Sequence, residues 1–165
     1  MNTRMPKPDE LISLMAAQMI SDLPDDPVMV GIHTGGVWVA RLLHNQLNLK
    51  TPLGSIDISF YRDDFSRIGL NPEVKTSEIP TDVEGRSIIL VDDVLQTGRT
   101  IRAALDEIFS WGRPAVVQLA VLIERGGREL PIQPDIVGVR LDLDTSEHIK
   151  LLGPDNLEFS IGEKH

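Results

Sequence analysis

The chain contains no cysteine. Disulfide staples, thiolate nucleophiles and cysteine zinc sites are therefore excluded, which fits a cytoplasmic protein. Long apolar runs are also missing: the longest falls well short of the roughly 20 residues that a membrane span needs. The first ten residues, M-N-T-R-M-P-K-P-D-E, lack the apolar core of a signal peptide. No membrane partner is expected. Positive charge is scarce, with 16 Lys and Arg against 25 Asp and Glu, a net charge of −9. Neither Lys nor Arg occurs between Lys7 and Arg41. So acidic a chain is a poor starting point for a nucleic-acid binder, whose affinity draws on cations. The four histidines include no two at metal-ligand spacing. Linkers, repeats and low-complexity segments are absent, so residues 1–165 are expected to form one domain.

What is present centres on residues 88–100, I-I-L-V-D-D-V-L-Q-T-G-R-T. Ile88, Ile89, Leu90 and Val91 fit a strand buried on both faces of a parallel sheet. Asp92 and Asp93 are expected at its carboxyl end, facing solvent or ligand. Thr97, Gly98, Arg99 and Thr100 then lead into a helix with Ile101, Ala104, Leu105 and Ile108 on one stripe. Ligands of parallel α/β sheets bind beyond the carboxyl ends of strands. A helix start offers unpaired N–H groups and a positive dipole end to a phosphate. Two adjacent carboxylates suit ribose hydroxyls, held directly or through a hydrated Mg²⁺. The pattern therefore points to a phosphorylated sugar.

The rest of the chain alternates strands and helices. Residues 9–23 read as a helix, with Leu11, Leu14, Met15 and Met19 in one stripe widened by Ile12, Ala16 and Ile20; this stripe is core or subunit contact. A buried strand at residues 28–32 runs into His33, Thr34, Gly35 and Gly36 and then a helix, a second candidate anion site. Residues 54–60 alternate as a third strand. Residues 65–80 carry no sustained period, as expected of an active-site lid. Strands are expected at 115–123 and 136–139, separated by a charged, glycine-rich excursion. Residues 142–165 are polar with apolar islands at 151–152 and 157–161.

The four apolar residues followed by D-D-x-x-x-T-G-x-T resemble the PRPP-binding signature of type I phosphoribosyltransferases. Other stretches narrow the resemblance: Y-R-D-D at 61–64, G-R-P followed by Q-L-A-V-L up to Leu122, R-G-G-R-E-L-P at 125–131 and D-I-V-G at 135–138. Together they resemble the PyrR family, pyrimidine operon attenuation proteins that are also uracil phosphoribosyltransferases. The resemblance spans roughly residues 8–139. It implies an α/β fold with a mostly parallel sheet flanked by helices, a flexible lid loop and a small hood. The implied reaction is uracil + PRPP → UMP + pyrophosphate, assisted by Mg²⁺.

Carried over by position, Asp92, Asp93 and Arg62 would be the catalytic residues. The acid pair would hold the ribose hydroxyls and, through water, the metal, while Arg62 would lie near pyrophosphate. PRPP would be bound by Val91, Asp92, Asp93, Val94, Leu95, Gln96, Thr97, Gly98, Arg99 and Thr100, and by Thr34, Gly35 and Gly36. Glu124, Arg125, Gly126, Gly127 and Arg128 would belong to the hood over the base. The chain departs from many members at Gly35, where they have Arg, at Gly127, often His, and at Gln96, often Tyr. Its first helix also lacks the Arg and His of RNA-binding members.

The main reading is thus a uracil phosphoribosyltransferase of pyrimidine salvage. One rival is a UMP-sensing, RNA-binding attenuator of pyrimidine gene transcription with little catalytic role. A second rival is a sibling enzyme using another base. A homo-oligomer is expected, and RNA binding is expected to be weak or absent.

Overall fold

A computed structural model of the chain describes residues 5–59 and 77–163. Tyr61, Arg62, Asp63, Asp64 and most of the expected lid lie outside the described residues. The elements are α1 (Pro8–Ile20), β1 (Val28–Ile32), α2 (Gly35–Gln46), β2 (Gly54–Ile56), β3 (Ser87–Leu95), α3 (Arg99–Ser110), β4 (Val116–Arg125), β5 (Ile136–Leu141), β6 (Glu147–Leu152) and β7 (Glu158–Glu163). The first five strands form one parallel sheet in the order β2-β1-β3-β4-β5.

Successive strand residues point to opposite faces, and β3 shows what that does to sequence. Ile89 and Val91 join one core cluster with Leu11, Ile12 and Met15 of α1 and Leu43 of α2. Ile88 and Leu90 join a second cluster with Ile101, Ala104 and Ile108 of α3. Both faces are covered, so the strand must be apolar at every position. Gly31 of β1 is required by packing. A Cβ there would lie 2.8 Å from Val37 Cα and 2.9 Å from Ala40 Cβ, because α2 crosses close above it.

Three expectations need correction. First, β3 does not stop at Val91. It continues through Asp92 and Asp93 to Leu95, because β4 runs alongside and pairs Asp92 with Val121 and Leu95 with Glu124. Second, α1 ends at Ile20 rather than residue 23, and Leu14 and Ile20 are exposed while Met15 and Met19 are buried. The methionine stripe is therefore core. Third, the strand expected at 54–60 ends at Ile56. The Asp57 carboxylate accepts hydrogen bonds from the Ser59 N–H, at 2.9 Å, and hydroxyl, a local turn that competes with extended pairing.

The tail is an antiparallel hairpin, β6 with β7, in register from Glu147↔Glu163 to Leu152↔Glu158. Its apolar islands have a plain cause: Ile149, Leu151 and Leu157 pack into the α1–α2 core cluster.

Candidate active site

In the order β2-β1-β3-β4-β5, the chain leaves β1 toward one edge and builds outward from β3 toward the other. The crevice beyond the carboxyl ends of β1 and β3 is the place where such sheets bind ligands. The sequence puts its two glycine turns there.

The turn after β1 lies directly on the acid pair. A Cβ on Gly36 would sit 2.7 Å from Val91 O and 3.0 Å from Asp92 Cα, and one on Gly35 would fall on Asp93 Oδ2. Only a chain without side chains at 35 and 36 brings this backbone against the end of β3. Thr34 is the residue that caps α2, and the His33–Thr34 peptide is cis. Asp92 is 5% exposed. Its Oδ1 accepts the Asp93 N–H at 2.8 Å, and Asp93 Oδ1 accepts the Val94 N–H at 2.8 Å. Of the pair expected at a strand end facing solvent or ligand, Asp92 is thus buried inside a paired strand, while Asp93 lines the crevice.

The turn after β3 frames a cavity of about 300 Å³ lined by Asp93, Val94, Leu95, Gln96, Thr97, Gly98, Thr100 and Ile101, with Ile149 and Lys150 on its far wall. Gly98 caps α3 at φ 92°, a left-handed conformation suited to glycine. Thr97 Oγ1 accepts the Arg99 N–H at 3.1 Å, and the Arg99 side chain turns out to Glu129 at 2.8 Å. Val91 is wholly buried and contributes core rather than ligand surface. Seven of the expected PRPP-binding residues therefore line one cavity, Thr34, Gly35 and Gly36 flank it through the acid pair, and Val91, Asp92 and Arg99 support it.

The expected hood residues divide. Glu124 holds Arg128 at 2.7 Å and Arg140 at 2.7 Å. Arg128 also donates to Gln96 O at 2.7 Å, which brings the excursion after β4 onto the turn after β3. Arg125 is 3% exposed and donates to Asp144 O and Glu147 O, so it fastens the hairpin to the end of β4. Gly127, at φ 111°, passes over the Gln96 side chain. A Cβ on Gly126 would meet open space.

Sequence reasoning missed Ile149 and Lys150. The alternation His148-Ile149-Lys150-Leu151 was the available signal for a strand. Lys150 makes no ion pair among the described residues and is the one cation in the cavity lining. No group of three or more His, Cys, Asp or Glu that would cage a metal occurs among the described residues. Two adjacent carboxylates suit a hydrated Mg²⁺, which keeps several waters and leans on substrate phosphates. No helix among the described residues is long and apolar enough to cross a membrane.

Comparison with known proteins agrees with this geometry. The family model for the phosphoribosyl transferase domain matches residues 9–155. The bifunctional protein PyrR of Nitrosococcus oceani is 63% identical over 137 residues, 82% of this chain and 77% of that protein. The bifunctional protein PyrR of Pseudomonas syringae pv. tomato is 50% identical over 161 residues, 95% of each chain. Among solved structures, a hypoxanthine phosphoribosyltransferase from Staphylococcus aureus superposes with a TM-score of 0.66 at 18% identity, covering 88% of this chain and 80% of that one. A purine phosphoribosyltransferase from Pyrococcus horikoshii gives 0.61 at 25% identity, covering 81% and 82%. The structures share the fold, and the sequence relatives narrow the assignment: this chain is a phosphoribosyltransferase-fold protein of the PyrR family.

Proposed function

We propose that the chain transfers the phosphoribosyl group of PRPP to uracil, giving UMP and pyrophosphate. The observation that carries this reading is the meeting of two glycine turns over one acid pair, beside a cavity lined by Thr97, Gly98 and Thr100. The three parts match three parts of PRPP. Backbone amides and threonine hydroxyls after β3 hold the 5′-phosphate at a helix start. Asp92 and Asp93 hold the ribose hydroxyls. The Thr34-Gly35-Gly36 backbone holds pyrophosphate, with Arg62 supplying charge from the segment after β2.

The bond from ribose C1′ to pyrophosphate oxygen breaks, a bond from C1′ to uracil N1 forms, and the proton lost from N1 passes to the departing pyrophosphate or to water. Positive charge develops on the ribose and negative charge on the leaving group. Such a step needs fixed geometry and oriented charge more than a covalent nucleophile. The carboxylates beside the ribose oppose its developing positive charge, and the hairpin with the excursion after β4 covers the base and limits water. Mg²⁺, when bound through water to Asp92 and Asp93, would neutralise pyrophosphate charge.

The test is PRPP-dependent turnover with uracil, orotate, hypoxanthine, guanine and adenine, with and without Mg²⁺. We expect uracil to be preferred and turnover to need the metal; preference for a purine or orotate overturns the choice of base. The relatives' name, bifunctional, supports a second reading as a UMP-responsive RNA-binding attenuator. The net charge of −9 weighs against tight RNA binding. Sub-micromolar, sequence-specific binding of a pyrimidine-leader hairpin at near-physiological salt would establish the second reading.

A further inference from the structure

We propose that Arg128, held by Glu124, is a positioning residue that aims the backbone amides of the phosphate loop, rather than a reader of the base. The inference rests on the cavity being the PRPP site.

The loop carbonyls are pinned from one side. Gln96 O accepts from Arg128 Nη1 at 2.7 Å. Thr97 O accepts from the N–H groups of Glu129 at 2.9 Å and Leu130 at 3.1 Å. A trans peptide is planar, with its C=O and the following N–H pointing in opposite directions. The cis peptides are His33–Thr34 and Gly153–Pro154, so neither peptide here is among them. Drawing Gln96 O and Thr97 O toward the excursion therefore turns the Thr97 and Gly98 amides away from it, toward the cavity that both residues line. Neither amide has a backbone hydrogen-bond partner among the described residues. Two successive amides facing one way, the second belonging to the left-handed Gly98, make an anion-binding concavity.

Arg128 is committed to this task. Its Nη2 is on Glu124 Oε1 at 2.7 Å, and the other oxygen of Glu124 is on Arg140 Nε at 2.7 Å. Glu124 stands opposite Leu95 across the β3–β4 ladder, one residue before Gln96. Arg128 thus spans from the end of β4 to the first residue of the loop. A planar fork with fixed donors can serve both acceptors, whereas a lysine offers a single charged point. Arg140 shares the carboxylate and is mostly exposed, and its hydrogen bond among the described residues goes to Glu124.

The experiment uses the full chain with Arg128→Ala, Arg128→Lys, Glu124→Gln and Arg140→Ala. PRPP binding is measured by calorimetric titration, KM for each substrate by steady-state kinetics, and folding by thermal melting. Arg128→Ala should weaken PRPP binding about tenfold or more, the scale expected of a misplaced group. Its KM for uracil at saturating PRPP should stay within about twofold. Arg128→Lys should recover part of the loss, Glu124→Gln should fall between, and Arg140→Ala should match the parent. A raised KM for uracil with unchanged PRPP binding would make Arg128 a base reader and overturn the proposal. If Arg128→Ala fails to fold, the Lys and Gln variants decide by the same readouts. A parent chain that binds PRPP but does not turn over uracil would defeat the choice of base and leave this proposal to the titration. A parent that binds no PRPP defeats both.

Discussion

The junction after β1 and the junction after β3 follow one plan, a buried parallel strand running through a glycine turn into a helix, yet they need glycine for different reasons. At Gly35 and Gly36 the backbone angles are ordinary, and what forbids a side chain is the end of β3 pressed against the turn. At Gly98 the φ of 92° is itself the constraint, with Ile132 Cγ1 only 3.0 Å from where a Cβ would stand. The first junction is defined by what it leans on, the second by its own conformation and by the excursion that pins it. A T-G motif in sequence therefore does not reveal which kind of glycine it contains.

The strongest way to break the comparison is to remove the acid pair on which the first turn rests and from which the second begins. Asp92→Asn and Asp93→Asn should each lower kcat/KM by between about ten- and a thousandfold, as expected for lost positioning groups. Asp93→Asn should melt like the parent, while the buried Asp92→Asn should melt earlier; full activity in both variants would refute the site. Next comes steric blockade at the first turn. Gly36→Ala collides with backbone, which cannot swing aside, so about a hundredfold loss of kcat/KM and a lower Tm are expected. Gly35→Ala meets the Asp93 side chain rather than backbone, so its Tm should fall clearly less, although displacing that carboxylate lowers activity. Equal losses of Tm at 35 and 36 would show that the turn does not lean on β3 in this way.

The second junction answers to conformation instead. Gly98→Ala should destabilise the fold by about 1–2 kcal/mol, the cost of a left-handed backbone with a Cβ. Gly98→Asn should recover part of that in denaturant unfolding, since Asn tolerates the left-handed region. If Asn is no better than Ala, crowding by Ile132 rather than conformation governs the second junction, as crowding by β3 governs the first. The smallest effect is expected at Lys150, on the cavity's far wall. Lys150→Met should raise KM for PRPP about threefold at low salt and less at high salt, as for an exposed charge; a salt-independent change would point to packing instead.

Much of this was legible because it is local. The four-residue apolar run, the T-G helix start and the second glycine turn each carry their signal within a dozen residues, and their strand and helix assignments agree with the structure. What escaped depends on partners far along the chain. Nothing near Asp92 announces that β4 will carry β3 on to Leu95, overriding the low strand preference of aspartate. Nor does R-G-G-R-E-L-P reveal that Arg125 bonds the carbonyls of Asp144 and Glu147 while Arg128 bonds that of Gln96. Residues 142–165 looked polar because a hairpin lying on a core has only one apolar face, and the exposed Leu152 and Ile161 blurred the alternation.

The order of the strands also sets an order of events in time. During synthesis β1 emerges with only the three-residue β2 to follow it, and its central partner arrives 60 positions later, Ile88 against Val28 (88 − 28 = 60). Until then α1 and α2 can cover only its Met29 face, and Val28, Val30 and Ile32, which cluster with residues of β3 and α3, stay uncovered, the condition in which nascent parallel sheets are prone to aggregate. The hairpin at the other end closes over a short turn and needs no distant partner for its ladder. Pulse-labelled hydrogen exchange during refolding should therefore find β6 and β7 protected before β1, and β1 gaining protection together with β3. Early protection of β1 alone would break that sequence.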